Sequence, residues 1–300
     1  MMKDTFSNMH PFINFIFFAL TIGFTMFIMN PVCLAVSFLC ALVTALYLNG
    51  KKAVRLSLVF LLPMILLIVL VNPVFNHEGM TILTYFPWDN PLTLESIVYG
   101  IASAFLLSST VLWFSSFNAV ITSDKVVFLF GRIMPSLSLV ISMALRFVPR
   151  FSAQMKLVRN AQHTIGRDIN EGTLFQRIRN AVKILSIMIT WSLENAIETA
   201  DSMKSRGHGL KGRTSYSLYK FDKRDAFMLC TILFTGLVLM ILLFTNAIKF
   251  RYYPSIKGDL FTVQSVIFYI FYTFLMLIPL SVNIGAVSYT HLRAHETDSY

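Results

Sequence analysis

Residues 12–29, 32–48 and 54–71 form three long apolar stretches in succession, none with an acid or a base at its centre. A helix rises 1.5 Å per residue, so about 20 such residues cross the roughly 30 Å hydrocarbon core of a bilayer. Residues 97–117, 226–244 and 261 to about 284 have the same character. In lipid every backbone polar group needs a partner within the protein, and uninterrupted apolar windows of this length satisfy that as helices. The expected fold class is therefore an all-α integral membrane protein with about six transmembrane helices. Pro31 opens the second span, where its missing N–H does no harm, and Pro63 inside the third should kink it.

Composition excludes a soluble globular enzyme. Of the 300 residues 56% are hydrophobic and 13% charged, with a mean hydropathy of +0.67, against about 25% charged in soluble domains. Cys33, Cys40 and Cys230 lie in apolar runs without paired spacing, so they are expected to be small buried hydrophobes rather than disulfide or zinc partners. No Asp, Glu, Lys or Arg occupies the span centres, which argues against a proton-coupled carrier or a voltage sensor. Gly100, Ala102, Ser103 and Ala104 could let the fourth span approach a neighbour closely.

Charge location sets the orientation. Seventeen of the 25 Lys and Arg fall in residues 120–225, and Lys51, Lys52 and Arg55 flank the turn after the second span. Residues 72–96 hold no Lys or Arg but carry Glu78, Asp89 and Glu95. Positive-inside placement predicts a cytoplasmic N-terminus and a cytoplasmic basic middle, not a nucleic-acid interface. Lys249, Arg251 and Lys257 would then lie outside, against the rule. The short leading segment runs straight into a span, so no cleavable signal is expected.

The middle of the chain reads as long helices between spans four and five. Ser123 and Asp124 suit a helix start, a break falls at 131–135, and 137–151 reads as a helix leaving the membrane, with Arg146 and Arg150 at its polar end. Ile178, Val182, Leu185, Ile189, Leu193, Ile197, Ala200 and Met203 recur at helical spacing, an amphipathic pattern whose densest part, 184–191, should be buried or interfacial. The expected organisation is 1–119 for the first four spans, 120–225 for the basic helical region, 226–286 for the last two, and 287–300 as a tail.

No phosphate-binding loop, nucleophile elbow or His-Glu-x-x-His pair is present, so neither an ATPase nor a motif-bearing hydrolase is expected. His291 and His295 stand four apart but in the tail, and metal binding there is not expected. The informative segment is Met203-Lys-Ser-Arg-Gly-His-Gly209. Glycines here suit a helix C-terminus, where Arg206 could bond the last carbonyls or project into a polar groove on a partner.

At these residues the chain resembles the transmembrane (T) component of energy-coupling factor transporters, ATP-driven importers of vitamins and metal ions. The resemblance is carried by Ser123-Asp-Lys125, Met143-Ala-Leu-Arg146-Phe-Val-Pro149, Arg159-Asn-Ala-Gln162, Ala200-Asp-Ser-Met-Lys-Ser-Arg206-Gly207 and Tyr219-Lys-Phe-Asp-Lys-Arg-Asp225. It implies two cytoplasmic coupling helices, each ending in an Ala-Arg-Gly type motif that docks on one of two ABC-type ATPase subunits. Membrane helices would hold a substrate-binding S component. On this resemblance the ATPase-coupling residues are Ser205, Arg206 and Gly207, with Gln162, Arg159 and Arg167 at the first motif, and Arg146 and Pro149 as family-motif positions. The first motif departs from the pattern: Ile165 stands where its arginine is expected, and Arg167 follows two residues later.

The resemblance further implies a non-catalytic subunit in a prokaryotic plasma membrane. It would bind no cofactor itself, ATP and Mg being held by the partner ATPases. The alternative reading is a membrane scaffold docking another soluble partner through its basic helices; an intramembrane enzyme lacks convergent acids, His or Ser. Residues 287–300 abruptly lose apolar periodicity and are expected to be non-native or a disordered terminus.

Overall fold

The computed structural model describes residues 5–85, 90–131, 134–167, 172–210 and 219–297, with side chains as far as residue 285, Pro135 excepted. In chain order the helices are α1 (Pro11–Phe27), α2 (Pro31–Asn49), α3 (Lys51–Leu56) and, after a π-helical turn at Ser57–Leu61, α4 (Leu62–Phe75). A hairpin of β1 (Ile82–Tyr85) and β2 (Pro91–Thr93) leads into α5 (Leu94–Val120), α6 (Ser123–Gly131), α7 (Pro135–Thr164) and α8 (Leu174–Ser205). Then come α9 (Lys223–Phe244), a hairpin of β3 (Phe250–Arg251) and β4 (Lys257–Gly258), and α10 (Val263–Thr297). Two compact units result: Met1–Val126 with Tyr219–Tyr300, and Val127–Leu218.

The first unit is a helix bundle whose ends are set by caps and prolines. Asn30 Oδ1 accepts from Val32 N at 3.0 Å with Pro31 at the first helical position, so α2 starts without an orphan donor at either residue. Thr93 Oγ1 accepts from Ser96 N at 3.3 Å to start α5. Pro63 cannot donate to the carbonyl four residues back, and its ring crowds that carbonyl. The chain answers with the π turn at Ser57–Leu61 just upstream, so the expected distortion of the third span is a local unwinding.

Aromatic rings fill the centre edge to face: Phe17–Phe18 at 5.2 Å, Phe6–Phe17 at 5.3 Å and Phe18–Phe117 at 5.6 Å. Trp113, fully buried, donates from Nε1 to Ser37 Oγ at 3.1 Å, and Ser37 shares a 2.9 Å hydrogen bond with Thr25. A Cβ on Gly100 would meet Asn72 Cβ at 3.2 Å, so this glycine does permit the close approach of α5 to α4.

Hydrogen bonds between distant residues define two ends of the bundle. At one, Tyr252 OH donates to Met29 O at 2.9 Å, Tyr269 OH to Asn30 Oδ1 at 3.2 Å and Asn76 Nδ2 to Tyr253 OH at 2.9 Å. At the other, Asn49 Nδ2 donates to Ser115 Oγ at 3.1 Å, and buried Lys125 donates from Nζ to Ser7 O and, at 2.8 Å, to Val120 O.

Among the described residues, six helices are long and apolar enough to cross a bilayer: α2, the run Lys51–Phe75, α5, the α7 segment Ser136–Thr164, α9, and α10 over Val263–Gly285. The sequence reading put α1 in this set and had α7 leave the membrane. At 17 residues α1 is shorter, yet it runs between the same two ends as α2, and 17 residues lie at the lower limit for a span. The helix α7 continues past residue 151 as far as Thr164 through a more polar segment that carries Lys156 and Arg159.

Other differences follow from local chemistry. Neither two-stranded hairpin was expected, because strands of two to four residues show no alternation to read. Cys230 is exposed on the outer face of α9, unlike buried Cys33 and Cys40. The backbone of α10 stays helical through Thr297, past the expected onset of a tail at 287; residues 298–300 and the side chains of His291 and His295 lie outside the described part.

Lys125 closes the last turn of α5 and ties it to the segment before α1. Lys125→Met leaves both carbonyls without this donor and should cost about 2 kcal/mol. Chemical denaturation in detergent, with exposed Lys51→Met as the near-neutral comparison, checks it.

Candidate functional site

Two helices make up most of the second unit. Thr173 and Gln176 form a reciprocal capping box at the start of α8, with Thr173 N donating to Gln176 Oε1 at 3.1 Å. Phe151 of α7 meets Trp191 of α8 edge to face at 5.5 Å, and the Arg150 guanidinium stands over the same indole at 5.7 Å. The pairing joins the two helices near their middles.

Both helices end in the same way. At the end of α7, Gly166 N donates to His163 O at 2.9 Å and Arg167 N to Gln162 O at 2.9 Å, with Gly166 at φ +68°. At the end of α8, Gly207 N donates to Lys204 O at 2.9 Å and His208 N to Met203 O at 3.0 Å, with Gly207 at φ +75°. Each is a Schellman cap, in which a left-handed residue after the helix lets two successive N–H groups reach back to orphan carbonyls. The hydroxyl before the cap repeats as well: Thr164 Oγ1 donates to Ala161 O at 2.8 Å and Ser205 Oγ to Ser202 O at 2.9 Å.

This match sets the register between the two ends. Thr164-Ile165-Gly166-Arg167 corresponds position by position to Ser205-Arg206-Gly207-His208, so Ile165 occupies the place of Arg206 and Arg167 the place of His208. Ile165 is 63% exposed, and Arg206 and Arg167 are exposed too. An exposed isoleucine at a helix end gains nothing from water, whereas Arg206 offers five donors and a permanent charge. The part of Thr164 and Gly166 was missed in the sequence; a hydroxyl residue two before a glycine at both helix ends is the signal that could have found it.

The remaining site residues lie along α7. Arg159 is exposed, one turn before the cap, and Gln162 is half-buried, its carbonyl accepting from both Ile165 N and Arg167 N. Arg146 and Pro149 lie further back; Pro149 is inside the helix and withholds the N–H that Leu145 O would otherwise accept. The structure does not bring these two to the capped ends. Among the described residues no group of three or more His, Cys, Asp or Glu is placed to hold a metal ion.

The apolar residues of α8 divide into a buried and an exposed set. Ile184 and Met188 are buried, at 2% and 1%, but Ile178, Val182, Leu185, Ile189, Leu193 and Ile197 are all more than half exposed. Periodicity identifies such a stripe but carries no information on what covers it.

Alanine at either capping glycine must hold a left-handed backbone, at a cost of about 1 kcal/mol. At Gly166 its Cβ meets nothing within 4 Å, whereas at Gly207 it meets Leu210 Cδ1 at 3.1 Å. Gly166→Ala and Gly207→Ala should both speed amide exchange at Arg167 and His208 respectively, with the larger effect at His208.

Comparison with known proteins agrees with this architecture. Residues 3–216 match the cobalt transport protein family, CbiQ. The energy-coupling factor transporter transmembrane protein EcfT of Lactobacillus helveticus is 41% identical over 106 residues, 35% of this chain and 38% of that protein. The protein of the same name from Lactococcus lactis is 33% identical over 106 residues, 35% of this chain and 40% of that relative. These two matches therefore span about two fifths of the relatives' length. That of Exiguobacterium sibiricum is 26% identical over 208 residues, 65% of this chain and 78% of the relative. Matched by the family over most of its length, this multi-pass membrane chain belongs to the cobalt transport protein family, that of the energy-coupling factor T components.

Proposed function

We propose that this chain is the non-catalytic coupling subunit of an ATP-driven importer of vitamins or metal ions in a prokaryotic plasma membrane. The observation that carries the reading is the pair of identically capped, exposed helix ends, one presenting Arg206 and the other Ile165. Each end docks on one of two ABC-type ATPase subunits, which hold the ATP and Mg. A guanidinium offers directional donors to a polar groove, and a central Arg anchor of this kind is commonly worth 2 kcal/mol or more. The first end docks through the isoleucine side chain. Arg167, displaced past the glycine to the place of His208, is a peripheral contact rather than a replacement for the missing arginine.

Helices of 30 and 32 residues suit the relay of force. At 1.5 Å per residue each is about 45 Å long, and the Trp191 contacts with Phe151 and Arg150 couple them. When ATP draws the ATPase subunits together, movement of the docked ends passes along both helices to the S component. The exposed stripe Ile178, Val182, Leu185, Ile189, Leu193 and Ile197 is the surface on which the S component packs. On this reading the bundle end carrying Lys51, Lys52, Arg55 and Lys125 faces the cytoplasm together with the N-terminus, which the positive-inside rule supports.

Co-purification from detergent with cassette ATPases encoded beside this chain tests the reading. Arg206→Ala should weaken association by about thirtyfold and Arg206→Glu more, Arg167→Ala far less, with elution of the membrane part unchanged. Intact assembly and ATP-driven uptake with Arg206→Glu would reject the coupling role.

A further inference from the structure

The bundle end away from α6 carries two hairpins that this function does not use. Met80 N donates to Pro254 O at 3.0 Å and Asn76 Nδ2 to Tyr253 OH at 2.9 Å, so the β1–β2 and β3–β4 loops are held together. On the first loop, Met80, Ile82, Leu83 and Tyr85 are all exposed. The ladder shifts register between Ile82 and Thr84, so Leu83 is left without a cross-strand partner. An apolar ribbon so exposed has no place in bulk water.

The second hairpin supplies charge. Arg251 and Lys257 are direct cross-strand partners and both are exposed. Like charges so opposed destabilise a ladder unless an anion lies between them. Lys249 lies two residues before Arg251, just outside the strand, and is exposed as well. Asp259 is the one acid within residues 249–259, so the hairpin has three cations to one anion. On the neighbouring loop Glu78 is exposed, while Glu95 is turned inward, accepting from Thr81 N at 3.2 Å and Thr81 Oγ1 at 2.7 Å.

Depth in the membrane joins these observations. Phe244 at the end of α9 and Phe261 shortly before α10 are 81% and 82% exposed, where the apolar runs of the two helices end. Lys249 lies five residues after Phe244 and Lys257 four before Phe261, a reach of up to roughly 17 Å of extended chain that takes in a headgroup layer roughly 5–8 Å deep. Tyr253 and Tyr252 cluster at the same end, with ring centroids 5.2 and 5.6 Å from that of Tyr99.

We propose that this end is a docking surface for anionic phospholipid headgroups, with Lys249, Arg251 and Lys257 binding the phosphates and the β1 side chains lying among the upper acyl carbons. The three cations that oppose the positive-inside rule are thereby a lipid site on the face away from the α5–α6 junction. This holds whether or not the chain couples ATPases.

The test uses the full chain purified in detergent and titrated with phosphatidylglycerol or phosphatidylcholine of the same acyl composition, with retained lipid counted by native mass spectrometry. Wild type should prefer phosphatidylglycerol, and Arg251→Gln with Lys257→Gln should lose about fivefold of that preference per cation. Lys249→Gln, outside the paired strands, should lose about fivefold alone, which keeps the test decisive if the double variant misfolds. Lys51→Gln with Lys52→Gln, at the other end, should keep the preference. Equal retention of the two lipids, loss of preference only in the Lys51 and Lys52 variant, or displacement of phosphatidylglycerol by inorganic phosphate at matched ionic strength would each overturn the proposal.

Discussion

A backbone in hydrocarbon has no water to bond, and much of this chain is a response to that constraint. The spans are helices because helices satisfy their own N–H and C=O groups, and the difficulty moves to their ends. Asn30 with Pro31, Thr93 with Ser96, and the Lys125 ammonium on Val120 O each resolve one end of the bundle. Pro63 withholds an N–H inside a span, and the π turn before it shows how the ladder yields locally while the helix continues.

The same requirement shapes the helix ends of the second unit. The helices α7 and α8 must satisfy their last carbonyls, and both do so by turning the chain left-handed at a glycine. That turn fixes the residue before the glycine at the tip of the helix. Capping alone would tolerate most side chains there, so the difference between Ile165 and Arg206 comes from outside the helices' own stability. Equal backbones with unequal side chains leave the two ends chemically different, one presenting an apolar side chain and one a guanidinium.

Much of the fold was legible because apolar length is a strong signal. The windows 32–48, 226–244 and 261–284 became α2, α9 and the spanning part of α10 with small shifts at their ends. Less was legible where one residue decides. The correspondence of Ile165 with the expected arginine came from the family resemblance alone; its backbone basis, the positive φ at Gly166 and Gly207, is something no periodicity reports, and the strands of β3–β4 are too short to alternate. The α8 stripe shows a different limit. Helical spacing identified its apolar residues, but Ile184 and Met188 went inward while Leu185 and Ile189 stayed out, because hydrophobicity names a face and not its partner.

Charge told more in pairs than in sums. Counted along the chain, Lys249, Arg251 and Lys257 were exceptions to an orientation rule. Placed in the hairpin, Arg251 and Lys257 become opposed cations beside an exposed apolar ribbon. The orientation rule acts through the transfer of Lys and Arg during insertion, with the summed loop charge setting direction and single exceptions tolerated. Opposed cations need an anion nearby whichever side of the bilayer they lie on, and phosphate at headgroup depth is the anion that every bilayer supplies.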